Sequence, residues 1–179
     1  MYEPAEDSYL LREAITEYCK YGKIDSALDM GTGSGIQAEA LLKFCSSVVA
    51  VDISPEVIDA LKEKIKTGKI LFIQSDLFEK VPEQKFGLIV FNPPYLPEEE
   101  FLKDDSETIG GEKGVEVTIE FLKQAKEYLA ENGTILFIAS SLADLNLLEE
   151  EMKKLGYKFR QIKKQHVSFE DIFVYEAGL

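Results

Sequence analysis

Leu28-Asp29-Met30-Gly31-Thr32-Gly33-Ser34-Gly35 is a short apolar run that ends in three glycines at alternate positions and leads directly into a helical pattern. A strand that turns through glycines into a helix gathers backbone N–H groups at one end of a sheet, where a ligand can approach the main chain closely. The loop is not a dinucleotide fingerprint, because the glycines run GxGxG with Gln37 beyond and the third falls one place early. Nor is it a Walker A loop, since no Lys-Ser or Lys-Thr pair follows the last glycine.

On both sides of this stretch, short apolar runs alternate with helical patterns. Strands are expected over residues 26–30, 47–51, 70–74, 87–91 and 134–139, with helices near residues 37–44, 55–67, 115–131 and 143–155. An opening helix over residues 6–20 places Leu10, Leu11, Ala14, Ile15 and Tyr18 on one face. Ser54-Pro55 supplies an N-cap and a first-turn proline, and Asn132-Gly133 reads as a helix stop before a strand. Residues 157–165 and 172–176 read as an antiparallel hairpin around a polar turn. The expected architecture is therefore α/β: one domain over residues 1–179, with a mostly parallel seven-stranded sheet, helices on both faces and a C-terminal antiparallel hairpin.

The 179 residues, 45% apolar and 30% charged, suit one globular domain. The 20 Lys and Arg against 33 Asp and Glu give a net charge of -13, which repels polyphosphates, so nucleic-acid binding by the chain alone is not expected. With no apolar stretch long enough to span a bilayer and an acidic start, MYEPAEDSYLL, the sequence predicts a soluble, intracellular, cytoplasmic protein. Cys19, Cys45 and His166 cannot form a four-ligand zinc site, so no metal is expected.

Three further strand ends carry candidate chemistry. Asp52 in Val51-Asp52-Ile53 lies about twenty residues beyond the first glycine, the position from which a carboxylate reaches a ribose diol. The alternative, that Asp52 helps start the helix at Ser54-Pro55, fits the spacing less well. Asp76 in Ser75-Asp76-Leu77-Phe78 projects from the same sheet edge, either accepting from an adenine amino group, with Ile53, Leu77 and Phe78 packing on the ring, or capping a turn. Phe91-Asn92-Pro93-Pro94-Tyr95 ends the fourth strand, and its two prolines can neither continue a sheet ladder nor enter a helix interior. In this stiff segment the Asn92 side-chain oxygen and the Pro93 carbonyl can accept the two N–H bonds of a planar amide or amine, with Tyr95 against its face. That positioning suits a poor nitrogen nucleophile, whose lone pair is delocalised. The aperiodic stretch 96–114 follows at once, and its acidic residues, Glu98 to Glu107, read equally well as a solvated surface or a substrate-facing flap.

In this order the four motifs resemble the class I methyltransferases that use S-adenosylmethionine on a Rossmann-like fold, and NPPY resembles the branch that methylates planar nitrogens. Tyr2-Glu3-Pro4-Ala5-Glu6-Asp7-Ser8-Tyr9-Leu10-Leu11 is similar to the opening motif of the archaeal and eukaryotic HemK-type glutamine methyltransferases, and Gly110-Gly111-Glu112-Lys113-Gly114 to their glycine-rich segment. Val115 and Lys113 depart from that pattern, where relatives often carry an arginine and a polar residue. The resemblance implies methylation of the glutamine side-chain amide in the Gly-Gly-Gln motif of class I release factors, with a small zinc-binding activator protein as partner. It also implies cofactor contacts at Ser8, Asp29, Gly31, Asp52, Asp76, Leu77 and Asn92, to which the reading of the loop and strand end adds Gly33, Gly35 and Ile53, with Asn92, Pro93, Pro94 and Tyr95 holding the substrate amide.

Two rivals remain open on the sequence. One is an amino-group methyltransferase acting on an extruded adenine or guanine of DNA or RNA; the basic run Lys153, Lys154, Lys158, Arg160, Lys163 and Lys164 reads equally as a solvated face or as a contact to ribosomal RNA or a tRNA-like factor through a partner. The other is a cofactor-binding scaffold without turnover. The strand Ile70-Leu71-Phe72-Ile73-Gln74, apolar on both faces and expected at a sheet edge, is the candidate docking edge for the activator.

Overall fold

The computed structural model describes residues 4–98 and 108–179. Tyr2, Glu3 and the acidic positions Glu99, Glu100, Asp104, Asp105 and Glu107 lie outside the described residues. The chain runs α1 (Glu6–Cys19), β1 (Ile24–Met30), α2 (Ile36–Leu41), β2 (Cys45–Asp52), α3 (Pro55–Lys64), β3 (Ile70–Gln74), β4 (Phe86–Phe91), α4 (Glu116–Ala125), β5 (Leu129–Ser140), α5 (Leu145–Leu155), β6 (Lys158–Val167) and β7 (Glu170–Gly178). Seven strands form one sheet in the order β3-β2-β1-β4-β5-β7-β6. The first five in that row are parallel, and β7 joins antiparallel to both β5 and β6. From β1 the chain winds outward to β3, returns, and continues through β4 on the other side. The crevice where this direction reverses, at the carboxyl ends of β1 and β4, is where open α/β sheets bind ligands.

Strand alternation divides the core between the two faces. Leu28, Met30, Ile89 and Phe91 pack with Phe121, Leu122, Phe137 and Tyr175 on the face covered by α4 and α5. Ala27, Ala50, Leu88 and Val90 pack with Leu11, Ile15, Ala38 and Leu41 on the face covered by α1 and α2. Lys163 of β6 pairs with Glu13 and Glu17 of α1, and Tyr18 donates to Thr134 of β5, so the first helix is fastened across the sheet.

The helix expected over residues 115–131 ends instead at Ala125, and β5 begins at Leu129. Asn132-Gly133 is no helix stop. Asn132 takes a positive φ of 59° within β5, and the pairing jumps from Phe86↔Leu129 to Leu88↔Thr134. A bulge uses the same left-handed backbone as a helix terminator, so this dipeptide served either purpose. Helices α2 and α3 also stop short of their expected ends, at Leu41 and Lys64.

Gly35 precedes α2 with φ 81°, and a methyl group there would sit 2.7 Å from Leu61 Cδ2, a side chain that is itself buried. We expect Gly35→Ala to destabilise the protein by about 2–4 kcal/mol, combining left-handed strain with overpacking. Urea titration should show a lower midpoint with an unchanged slope; a midpoint equal to wild type would mean that the loop relaxes freely.

Candidate functional site

The carboxyl ends of β1, β2 and β4 and the start of α1 enclose a cavity of about 450 Å³, within the range of small-molecule sites. The glycine loop forms one wall. Gly31, Gly33 and Gly35 all have positive φ, and Thr32 N–H donates to Val51 O at 2.8 Å, pinning the loop to β2. Gly31 and Gly33 line the cavity, whereas Gly35 stands outside it and serves the packing of α2 on Leu61.

Asp52 occupies the next wall. Its carboxylate accepts from Gly33 N–H at 2.9 Å and from Ser54 N–H at 3.0 Å, so it joins the glycine loop to the start of α3. Each oxygen retains capacity for one more donor. Ile53 lines the cavity beside it with 64% of its surface exposed, an apolar platform with nothing of the fold upon it. Asp76 and Leu77 follow β3 but do not line the cavity; Asp76 is exposed and Leu77 takes a positive φ of 40° in the turn.

Asp29 is buried beneath the glycine loop rather than in the cavity wall. Thr32 Oγ1 donates to its carboxylate at 2.7 Å. Burial pushes its pKa up to about 7, against the opposing effect of hydrogen bonds from Thr32 and the Ala38 backbone.

The fourth strand end forms the opposite wall. Asn92, Pro93, Pro94 and Tyr95 all line the cavity. Asn92 Nδ2 donates to Asp7 Oδ2 at 3.0 Å and lies 3.4 Å from Ser8 Oγ, and the Tyr95 hydroxyl donates to the same Asp7 oxygen at 3.2 Å. The amide nitrogen of Asn92 is thereby committed, which leaves its Oδ1 buried without a hydrogen-bond partner. The glycine-rich segment braces this wall from behind. A methyl group on Gly110 would meet Pro94 O at 2.5 Å, and one on Gly114 would meet Tyr95 O at 2.5 Å, so only glycine allows the two backbones to approach. Gly110 N–H donates to Leu96 O at 2.9 Å and Leu96 N–H to Thr108 O at 2.9 Å, closing the bracket.

Three cavity residues carry no role in the sequence reading. Asp7 sits in the first turn of α1, where an acidic residue ordinarily reads as a helix-dipole partner. Gln37 is 3% exposed, and Glu170 opens β7 and accepts from Ser140 Oγ. Four of the six cations in the basic run near the C-terminus have acidic partners. Lys154 pairs with Glu151, Arg160 with Glu176, Lys163 with Glu13 and Glu17, and Lys164 with Asp171.

Residues 7–167 match the family described as Methyltransferase small domain. The chain belongs to that family. A Methanocaldococcus jannaschii relative named as a protein N5-glutamine methyltransferase is 36% identical over 99% of this chain and 91% of its own length. A release factor glutamine methyltransferase of Clostridium acetobutylicum is 31% identical over 83% of this chain, which spans 59% of that enzyme. Among solved structures, the E. cuniculi Mtq2-Trm112 complex, responsible for methylation of the eRF1 translation termination factor, aligns with a TM-score of 0.76 and 26% identity, covering 98% of this chain and 96% of that one. No helix among the described residues is long and apolar enough to cross a membrane.

The raised pKa of Asp29 fixes a pH dependence. An unfolded aspartate loses its proton near pH 3.9, whereas the folded one keeps it to about 7, so the folded chain binds the extra proton between those values. The stability this gives is complete below about pH 3.9 and is lost as pH rises through about 7. Urea unfolding from pH 5 to 8 should show wild type losing stability relative to Asp29→Asn, with a slope of at most about 1.4 kcal/mol per pH unit. Parallel profiles would show that Asp29 is ionised throughout.

Proposed function

We propose that the chain is an S-adenosylmethionine-dependent N-methyltransferase that modifies the glutamine side-chain amide of the Gly-Gly-Gln motif in a class I peptide-chain release factor. The observation that carries this reading is the unpartnered Asn92 Oδ1, fixed by Asp7 beside the rigid Pro93-Pro94 segment. The cavity wall includes the carboxylates of Asp7, Asp52 and Glu170 and, among the described residues, no Lys, Arg or His. Such a wall suits a cationic ligand, and S-adenosylmethionine, when bound, supplies a methyl group made electrophilic by its positive sulfur.

The residues present fit that group. Gly31 and Gly33 offer close backbone approach, Asp52 has acceptor capacity for a ribose diol, Ile53 offers an apolar face, and Ser8 lies beside Asn92. Asp29 and Gly35 support this wall from behind, and Asp76 and Leu77 stand at the adjoining strand end. Asn92 Oδ1 and the Pro93 carbonyl would accept the two N–H bonds of the acceptor amide and so orient its nitrogen, which would lose one of those protons once the methyl group is transferred. Tyr95, anchored through its hydroxyl on Asp7, presents its ring to the planar group. Holding a weak nucleophile in this geometry removes the orientational part of the barrier.

The names of the M. jannaschii and C. acetobutylicum relatives support glutamine over a nucleobase. So do the net charge of -13 and the ion pairs that occupy most of the basic run. The E. cuniculi complex supports a small activator as partner, and the exposed edge strand β3, with Leu71 half exposed, is the surface we assign to it, as a heterodimer with a small zinc-binding protein. We place this activity in the cytoplasm, where release factors work.

Incubation with labelled S-adenosylmethionine and a release factor should place one methyl group on the Gly-Gly-Gln glutamine, read by mass spectrometry. Asn92→Ala should lower kcat at least about 100-fold while leaving the fold intact by circular dichroism. Methylation of free DNA with an unmodified factor would promote the nucleobase reading, and cofactor binding without transfer to either would leave a scaffold. For the partner, hydrogen exchange should show the Ile70–Gln74 amides gaining protection when the activator is added; unchanged exchange together with a monomeric elution would remove that interface.

A further inference from the structure

Two buried side-chain atoms among the described residues lack a hydrogen-bond partner, Asn92 Oδ1 and Gln37 Oε1, and both side chains line the same cavity. Gln37 lies in the first turn of α2, and its Nε2 donates to Ser8 O at 2.8 Å. A backbone carbonyl can only accept, so the nitrogen of the amide must face Ser8 and the oxygen must lie on the other branch. Asn92 is fixed in the same manner by Asp7 and Ser8, one residue apart. The Asp7–Ser8 pair thus orients two side-chain amides and leaves two carbonyl oxygens unsatisfied. An orphaned buried acceptor is costly to a fold, and a pair of them in one cavity calls for donors brought by a ligand.

We propose that Gln37 binds the α-ammonium group on the amino-acid portion of the methyl donor, with Oε1 accepting one of its N–H bonds. This rests on the S-adenosylmethionine reading above. Asn92 Oδ1 and the Pro93 carbonyl already match the two N–H bonds of an acceptor amide, so the second orphan is left for a different donor. The charge of the wall selects its kind: Asp7 stands next to Ser8, whose carbonyl anchors Gln37, and Asp52 and Glu170 complete a wall without a described basic residue. An ammonium finds there both a directed acceptor and nearby negative charge. Asp52 and Ile53, by contrast, lie at the carboxyl end of β2 just before α3, where the nucleoside portion is assigned.

Calorimetry with two probes separates the possibilities, because S-adenosylhomocysteine carries the ammonium and 5′-methylthioadenosine lacks the whole amino-acid portion. Gln37→Leu should weaken S-adenosylhomocysteine roughly 10- to 100-fold, the range for a charged hydrogen bond, and change 5′-methylthioadenosine by less than about twofold. Gln37→Met, unbranched and of similar length, serves as the second variant, and thermal unfolding checks that both fold. Wild-type affinity for S-adenosylhomocysteine in the variants would overturn the proposal, as would an equal loss for both probes, which marks a structural effect. Unchanged binding with a raised KM for the protein acceptor would overturn it as well, by assigning Oε1 to the acceptor amide. Failure of the wild-type protein to bind either probe would instead remove the cofactor reading and the proposal with it.

Discussion

One carboxylate holds the site together. Asp7 accepts from Asn92 and from Tyr95, residues 85 and 88 positions further along the chain, and so ties the start of the first helix to the end of the fourth strand. Without an acceptor there, the Asn92 amide could rotate and present nitrogen where oxygen is needed. The rest of the arrangement protects this contact. Lys163 and Thr134 fasten α1 across the sheet, Ser8 O holds Gln37, and the glycines at 110 and 114 press the backbone of the strand end from the far side. The side chains left with open acceptors, Asn92 and Gln37, are few, and the residues that fix their direction lie far from them along the chain.

The division of labour among the three loop glycines follows from the same geometry. All three take positive φ, but Gly31 and Gly33 face the cavity and Gly35 faces Leu61. A pattern read as one ligand-binding motif is therefore two devices, an open wall and a tight helix entry. Asp29 belongs with the second. By strand alternation it shares the face of Ala27, which packs with α1 and α2, and not that of Leu28 and Met30. Its raised pKa is the cost of that position, offset by Thr32 and the Ala38 backbone.

The sheet was legible because β2, β3 and β4 each carry a run of at least four apolar residues that ends abruptly in a polar or proline-bearing turn, as at Asp52 and Asn92. Strand order followed from the fold class, and β3 lies at the edge as expected. Legibility failed where one local chemistry serves two structures, as at Asn132-Gly133, where a bulge replaced a helix stop. It failed also for Asp7, Gln37 and Glu170, whose partners lie 29 to 88 residues away and leave no local trace. Asp29 was a different case: only the family resemblance put it in the ligand set, and the structure places it beneath the glycine loop, on the buried face that the period of two assigns it.

The two borders of the sheet are unlike. On one, β6 carries Lys158, Arg160, Lys163 and Lys164, and Arg160, Lys163 and Lys164 are drawn into ion pairs with neighbouring elements. On the other, β3 offers Ile70, Leu71, Phe72 and Ile73 with no charge among them. A sheet with two receptive borders stacks copy upon copy without limit, because each addition renews the surface that accepted it. With one border guarded by charge, growth ends at the first addition. A strand added at β3 would meet no second receptive border on the far side of this sheet.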